Sequence, residues 1–483
     1  MNLYEELIKN GKSDIYPFHM PGHKRRKMDF PNPYDIDITE IDGFDNLHHA
    51  TGLIKNAQDK AAKIYGANKS YFLINGSTCG LLAAISGAFN KGDKVLAARN
   101  CHKAVYHGIF LRELKPVYLY PKITPYGIQG KIETESVEQA LEENPDVKGI
   151  IITSPTYDGV VSDVKAIADI AHQKGIPVIV DEAHGAHFGF SNRLPMNATQ
   201  CGGDAVIVSV HKTLPAFTQT ALLHICSDRI DKSRIEKFLG IYETSSPSYI
   251  LMSGIEKCID IMESDGGKLI GELCDNLEEF YDKMETLSKL RVVRRKDFNK
   301  EDAFDFDETK ILIFTDDLII DKGTVNERLL DGKILSDILL EEYHIQVEMV
   351  ALNYVLALCS LMDTKEGFLR LGKALKEIDK RCTNSAWNTT KRSSTIYTSN
   401  EKKLELSDAW ECESVLIPFT EAKNKIAADF ISLYPPGIPI VVPGEVITEE
   451  IIHNIIYAME MNIEVNGISA DDNNIKVKVV KDR

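Results

Sequence analysis

The chain has 483 residues, 43% of them hydrophobic and 27% charged, with a formal net charge of -16. That length exceeds one ordinary core and implies two or three domains, while the composition is that of a soluble globular protein. The acidic balance argues against a general nucleic-acid binder, which needs clustered positive charge, and would favour a cationic small molecule through the long-range field.

In chain order, residues 1–30 read as a short helix-like segment followed by PFHMPGHKRRK, an arm packed on something else. NAQDKAAKIY is helical and meets Gly66, a C-cap candidate. Strands and helices then alternate. SYFLING, KVLAAR, VKGIIITS, IPVIVD and DAVIVSV read as strands; CGLLAAISGAFN, KAVYHGIFLRE and VSDVKAIADIAHQKG read as helices. Such alternation with continuous apolar strands implies an α/β fold, a parallel or mixed sheet covered on both faces. A helical stretch from about 248 to 285 closes a first large domain over 31–285. LRVVRR and TKILIFT open a second, smaller α/β unit over 286–380. Residues 381–402 have the polar composition of a linker, and 403–483, with YPPGIPIVVPGE, form a last region.

The nine cysteines are scattered singly without a CxxC pair, which reads as reduced thiols in a cytoplasmic protein. The N-terminus lacks the apolar segment of a signal peptide, and no run approaches the ~20 apolar residues that span a bilayer. His48, His49 and the histidines of PFHMPGHK have no partners at metal-ligand spacing, so no metal is expected.

Ligands of open α/β sheets sit at the carboxyl ends of the strands. Four segments fall there: NGST (75–78), SPTYDG (154–159), DEAHG (181–185) and SVHK (209–212). In SVHK, Lys212 follows a β-branched strand; buried, its amine would lose its charge readily and become a nucleophile suited to Schiff-base chemistry. Ser209, His211 and Thr213 flank it with groups that could meet a phosphate. Taken alone, a lysine reaching water explains SVHK as well. In DEAHG, Asp181 ends a buried strand, so its carboxylate needs a cation, and a protonated pyridine nitrogen is one candidate. Ala183 is small enough to lie against a ring. A capping aspartate is the competing reading. In NGST, Gly76, Ser77 and Thr78 suit an anion-binding turn at a helix N-terminus, or an ordinary N-cap. His102 of NCHK could stack on an aromatic cofactor, although a lone histidine is more often structural. The order carries more weight than any member. Lys212 lies 31 residues beyond Asp181, and one α/β site accounts for the phosphate-type turn, His102, Asp181 and Lys212 together.

At this point the sequence resembles the ornithine/lysine/arginine decarboxylases of the aspartate-aminotransferase fold, specifically their short Gram-positive type. PFHMPGHK, DITE, GFDNLHHATGLI, SYFLINGSTCG, ARNCHKAV, SPTYDGVVSD, DEAHGAHFGF, SVHKTLPAFTQTALLH, TSSPSY and YPPGIPIVVPGE carry the resemblance over nearly the whole chain. It implies a pyridoxal-phosphate (PLP) enzyme of fold type I: a large mixed-sheet domain that binds the cofactor, a small α/β domain and a C-terminal decarboxylase domain. It implies that Lys212 carries the cofactor, Asp181 pairs with the pyridine nitrogen, Ala183 and His102 cover opposite ring faces, and Ser77, Thr78, Ser209 and His211 hold the phosphate. Ser246 of TSSPSY would reach the partner's phosphate in a homodimer with shared sites. Glu445 and Thr156 are candidates for substrate contact, and Lys212 or His211 for returning a proton to the α-carbon. The implied reaction is decarboxylation of a basic amino acid, arginine ahead of lysine and ornithine third, in polyamine biosynthesis. One departure stands out: many members carry Gly-Arg where this chain has Asn424 and Lys425.

Two other readings compete. An aminotransferase or aldolase-type lyase shares the fold; an aminotransferase wants an arginine clamp for the α-carboxylate, and Arg370 is the candidate, although its run GFLRLGKALKEI reads as a solvated helix face. A cofactor-binding regulator is the other, and the joint presence of Lys212 and Asp181 argues against it.

Overall fold

The computed structural model describes residues 2–26, 28–384, 399–434, 437–461, 463–471 and 474–481. Its largest sheet has seven strands: β1 (Lys69–Leu73), β2 (Lys94–Ala98), β3 (Lys115–Leu119), β4 (Ile150–Thr153), β5 (Val178–Asp181), β6 (Ala205–Val208) and β7 (Ala221–Ile225). They lie in the order β1-β7-β6-β5-β4-β2-β3. Only β7 runs antiparallel, to both β1 and β6; the other pairings are parallel. Parallel pairs need helical crossovers, and those helices bury both sheet faces, which is why β5 and β6 read as unbroken apolar runs.

Two of these strands have weak sequence signals. β3, KPVYL, sits at the sheet edge, where its proline and lysine are tolerated. β7, ALLHI, carries His224, which is fully buried with Nδ1 2.7 Å from Ser70 Oγ on β1. The helices α1 (Gly76–Ala88) and α2 (Lys103–Leu111) follow β1 and β2. The register sets Thr153 beside Asp181 and Asp181 beside Ile207, so Asp181 ends the middle of the sheet on its carboxyl edge.

A second, antiparallel sheet joins Arg291–Val293, Lys310–Phe314, Tyr354–Leu358 and Met349–Val350. The expected helical stretch before it is two helices, Tyr249–Ser264 and Gly266–Met284, broken at Asp265. The first hydrophobic core runs continuously under both sheets. A separate core, from Phe419 to Val479, belongs to the C-terminal region. The N-terminal helix Leu3–Gly11 buries no side chain, but the strand after it, Tyr16–Phe18, pairs in parallel with Ile345–Val347.

The expected linker needs correction at its start. The helix Lys365–Arg381 is followed directly by a strand, Cys382–Asn384, paired with Leu318–Ile320, because antiparallel backbone pairing satisfies polar side chains' own peptide groups irrespective of composition. Residues 385–398 of that stretch, and Pro435 and Pro436 of YPPGIP, lie outside the described residues. Asn424 adopts φ +64°. This is the left-handed region that glycine enters freely and asparagine tolerates best among the rest, so the backbone itself accounts for an asparagine where the resemblance led us to expect glycine.

Candidate active site

The carboxyl edge of the large sheet gathers the predicted residues. β6 ends at Val208, and the chain turns through Ser209 and the single helical turn Val210–Thr213 before returning as β7. That turn leaves Lys212 half-buried. Loss of hydration lowers its pKa, while the charges of Asp181 and then Glu348 pull it back up. The amine is thereby brought toward its neutral, nucleophilic form. Its Nζ lies 2.9 Å from Nε2 of His184.

Asp181 is 3% exposed, and its Oδ1 accepts the Ala183 N–H at 3.1 Å, the one hydrogen bond of its carboxylate among the described residues. Burial raises its pKa against the attraction of Lys212. A buried carboxylate with so little support fits a missing cation partner. Ala183 follows within the same turn and is buried. Across the edge, His102 caps α2, its Nδ1 accepting the Ala104 N–H at 3.2 Å. Burial, then the charges of Lys212 and Lys103, push its pKa down to about 3. The ring is therefore neutral.

A cluster of hydroxyls lies at the start of α1. Gly76 has φ +77°, so the chain turns sharply out of β1 and presents the helix N-terminus. Ser77 Oγ lies 2.6 Å from Ser209 Oγ, joining the NGST turn to the lysine turn. Thr78 is exposed one residue on, and the Thr213 hydroxyl is buried with no partner among the described residues. Paired hydroxyls and free backbone N–H groups at a helix N-terminus fit a phosphate. His211 has Nδ1 2.7 Å from the Thr220 carbonyl oxygen, and burial lowers its pKa to about 4. Its Nδ1 is thus the protonated nitrogen, donating to that carbonyl.

Other expected residues fall elsewhere. Ser246 stands exposed on the turn after Glu243. Thr156 is buried, and its Oγ1 accepts the Val160 N–H at 3.0 Å, bracing the SPTYDG turn. Glu445 is fully buried, and Arg99 takes its carboxylate through two bonds, of 2.9 and 2.8 Å. Asn400 Nδ2 and the Val442 N–H donate to it as well, which leaves little of it for a substrate cation. Arg370 lies on the outer face of its helix and donates to Asp14 on the N-terminal arm, away from any clamp geometry. His48 Nε2 lies 2.9 Å from the Thr244 carbonyl. Among the described residues no three His, Cys, Asp or Glu side chains converge as a metal site.

Four groups at this site escape sequence reasoning. His184 is buried, its pKa held well down by burial and then by Lys212 and Lys310. The Tyr157 ring packs against it at 4.5 Å between centroids. Tyr157 in turn donates to Glu348 Oε1 at 2.5 Å, and the Met20 N–H donates to Oε2 at 2.8 Å. Beneath His184, Lys310 is fully buried and pairs with Asp307 at 2.9 Å. His184 and Tyr157 had a local signal, lying in the strand-end segments DEAHG and SPTYDG. Lys310 opens a strand of the second sheet and Glu348 lies in the bend just before another, Met349–Val350, and nothing in their neighbouring residues marks them.

Comparison with known proteins agrees with this architecture. Residues 1–367 match the model of the Orn/Lys/Arg decarboxylase major domain, and residues 397–477 match that of its C-terminal domain. The arginine decarboxylase of Bacillus anthracis is 33% identical over 474 residues, covering 96% of this chain and 94% of its own. That of Bacillus subtilis is 31% identical over 492 residues, covering 100% and 98%. Among solved structures, a Francisella novicida lysine decarboxylase superposes with a TM-score of 0.77 at 21% identity, over 99% of this chain and 80% of that one. Lysine decarboxylase A of Pseudomonas aeruginosa gives 0.75 at 22% identity, over 92% and 74%. Those two likenesses speak to the fold, which is the large mixed sheet with a smaller sheet and a C-terminal region.

Proposed function

The chain belongs to the Orn/Lys/Arg decarboxylase family, and from that premise we propose that it decarboxylates a basic amino acid, arginine first, with pyridoxal phosphate carried on Lys212. The observation that carries this reading is the pairing of a half-buried, partly dehydrated amine at Lys212 with a buried carboxylate at Asp181 that has one backbone donor, on one sheet edge. Bound there, pyridoxal phosphate supplies an electron sink for the pair of electrons left when carbon dioxide departs. The chain's residues do the rest. Asp181 would hold a proton on the ring nitrogen. Ser77, Thr78 and Ser209 with the α1 N-terminus would hold the phosphate, and the neutral His102 and the Ala183 methyl would cover the two ring faces.

Lys212 is the amine placed to return a proton to the α-carbon. His184, 2.9 Å away and kept neutral by burial, can accept a hydrogen bond from that amine and aim it. His211 is the weaker candidate, since its Nδ1 proton is committed to the Thr220 carbonyl. For the distal cation of the substrate the support now favours Glu348 over Glu445. Glu348 is the second carboxylate whose charge reaches Lys212, whereas Glu445 is taken by Arg99.

The sequence names of the Bacillus relatives support arginine over lysine and ornithine, and agmatine would then enter polyamine synthesis. A homodimer is part of this proposal: Ser246 is exposed, as a residue reaching into a partner's site must be. A cytoplasmic setting is supported by nine cysteines that are all free, and no helix among the described residues is long and apolar enough to cross a membrane. The test is to incubate the pure protein with pyridoxal phosphate and arginine, lysine or ornithine, and to measure carbon dioxide and amine. Amine from one substrate, abolished in Lys212→Ala, is the expected result. No amine from any of the three would overturn the proposal, and keto acid in its place would point to transamination.

A further inference from the structure

Two groups that matter to a basic substrate stand on different parts of the fold, Lys212 on the helical turn after β6 and Glu348 in the bend between Ile345–Val347 and Met349–Val350, 136 residues apart in sequence (348 − 212). Something must fix the gap between them. The contacts around the site form a closed circuit. Lys212 Nζ meets His184 at 2.9 Å, the His184 ring packs on Tyr157, and Tyr157 donates to Glu348 at 2.5 Å. The return path runs through the N-terminal arm. The Met20 N–H donates to Glu348 Oε2 at 2.8 Å, and two residues later the Gly22 N–H donates to the carbonyl of His211 at 2.7 Å. His211 is the residue before Lys212.

The arm is held rigidly at these points. Ser360 donates to the Gly22 carbonyl at 2.6 Å. Buried Lys24 donates to the carbonyls of Pro17, His19 and Leu358, at 3.0, 2.9 and 2.7 Å. Gly22 has no room for a side chain: a Cβ there would lie 2.4 Å from the Leu214 carbonyl oxygen and 2.8 Å from its nitrogen, both backbone. Only glycine lets the arm lie on the lysine turn.

We infer that Met20-Pro21-Gly22 is a specificity-determining strap, which sets the separation between Lys212 and Glu348 and so selects the side-chain length of the basic substrate. This rests on the proposed assignment of Lys212 and Glu348. Arginine, lysine and ornithine place their cation at different distances from the α-carbon, so a fixed gap discriminates among them. Moving one end of the gap changes the match for each substrate by a different amount. A mismatch of one methylene is worth roughly 10-fold or more, and a misplacement of 1 Å on the order of 10²-fold.

The experiment measures kcat and KM of the holoenzyme for arginine, lysine and ornithine in wild type, Gly22→Ala and Ser360→Ala. Absorbance of the lysine-bound cofactor and the melting temperature are recorded for each. Gly22→Ala must push the lysine turn away from the arm; Ser360→Ala removes one tether without introducing a clash. In both, with the cofactor absorbance retained, the kcat/KM ratio between the best and second substrates should change, by about 10-fold or more in Gly22→Ala. Equal loss for all three substrates, or unchanged ratios in both variants, would overturn the strap. If Gly22→Ala fails to fold, Ser360→Ala decides alone, a changed ratio supporting the strap and an unchanged one refuting it. Failure of the underlying reading looks different: the wild-type protein itself would act on none of the three.

Discussion

Replacing Arg99 by methionine should cost about 3–5 kcal/mol of stability, the usual consequence of removing one partner from a buried ion pair. The magnitude follows from what Arg99 leaves behind. It is 5% exposed, and its guanidinium makes five bonds: two to Glu445, one to Tyr106 Oη, and one each to the carbonyls of Pro439 and Ile440. Burial disfavours the charged guanidinium, but Glu445 and then Tyr106 reverse that and raise its pKa. Without Arg99 the Glu445 carboxylate stays fully buried with only the Asn400 amide and the Val442 N–H to support it. Two C-terminal carbonyls also lose donors. Arg99 directly follows β2, while Glu445, Pro439 and Ile440 sit in the C-terminal region, so the loss falls on the junction between the two. Trp410 packs there, its ring centroid 4.6 Å from Phe110 and 5.0 Å from Phe430, and its fluorescence reports the junction. Urea unfolding followed at Trp410 should show a lower midpoint for Arg99→Met. The double variant Arg99→Met/Glu445→Leu should recover most of the loss, because an apolar pair replaces an orphaned charge. A loss under about 1 kcal/mol in the single variant, the range of exposed pairs, would refute the account of this junction. Glu445→Gln should disturb the same transition and leave KM for a basic amino acid unchanged.

Asp181→Asn should lower kcat by roughly 10²-fold or more with the cofactor still bound, since a neutral amide cannot hold the ring nitrogen's proton; steady-state rates against cofactor absorbance check this. His224 is buried and its pKa is depressed to about 3 by burial. Its unfolded form binds the proton first, so its contribution is complete above the ordinary value of 6.5 and is lost as pH falls from there toward 3. His224→Gln should therefore flatten the dependence of melting temperature on pH between about 6.5 and 4. Arg370→Ala should leave kcat and KM unaltered and cost under about 1 kcal/mol, as its partners Asp14 and Glu366 are exposed; a rise in KM would revive it as a carboxylate clamp.

The sequence makes the sheet edge legible for a physical reason. A strand buried on both faces is a short apolar run, and the first polar residue after it marks its carboxyl end. Asp181 after VIV and Ser209 after AVIV announce themselves in this way, and Lys212 follows within one turn. NGST is legible because a left-handed glycine before a helix leaves a composition of its own. The same logic explains what is hidden. β3 and β7 carry a proline and a histidine that an edge position and a single hydrogen bond to Ser70 accommodate, and neither circumstance is visible from neighbouring residues. Glu445 follows a glycine in a conspicuous motif, which draws attention to it. Its partner Arg99 lies 346 residues away, and only the folded chain brings the two together.

Glu348 is the sharper case, because charge bookkeeping across the pocket singles it out. Lys310 is buried beside the site, but Asp307 pairs with it at 2.9 Å and His187 lies 3.2 Å from the same carboxylate. Burial would raise the Asp307 pKa, yet Lys310 and His187 outweigh it, so Asp307 stays ionised and offsets part of the Lys310 charge. The charges of Asp181 and then Glu348 favour a cation at Lys212, and the smaller effect of Lys310 opposes it. A reaction between pyridoxal phosphate and a basic amino acid brings two cations beyond the reacting amine, the protonated ring nitrogen and the substrate's distal group. Asp181, at the floor of the sheet edge with one backbone donor, suits the first. Glu348, half-buried and held in place by Tyr157 and Met20, suits the second. An arginine clamp for the α-carboxylate would add a third charge, and the candidate for it, Arg370, is engaged with Asp14 on the N-terminal arm. A loosely held carboxylate is the condition for losing it.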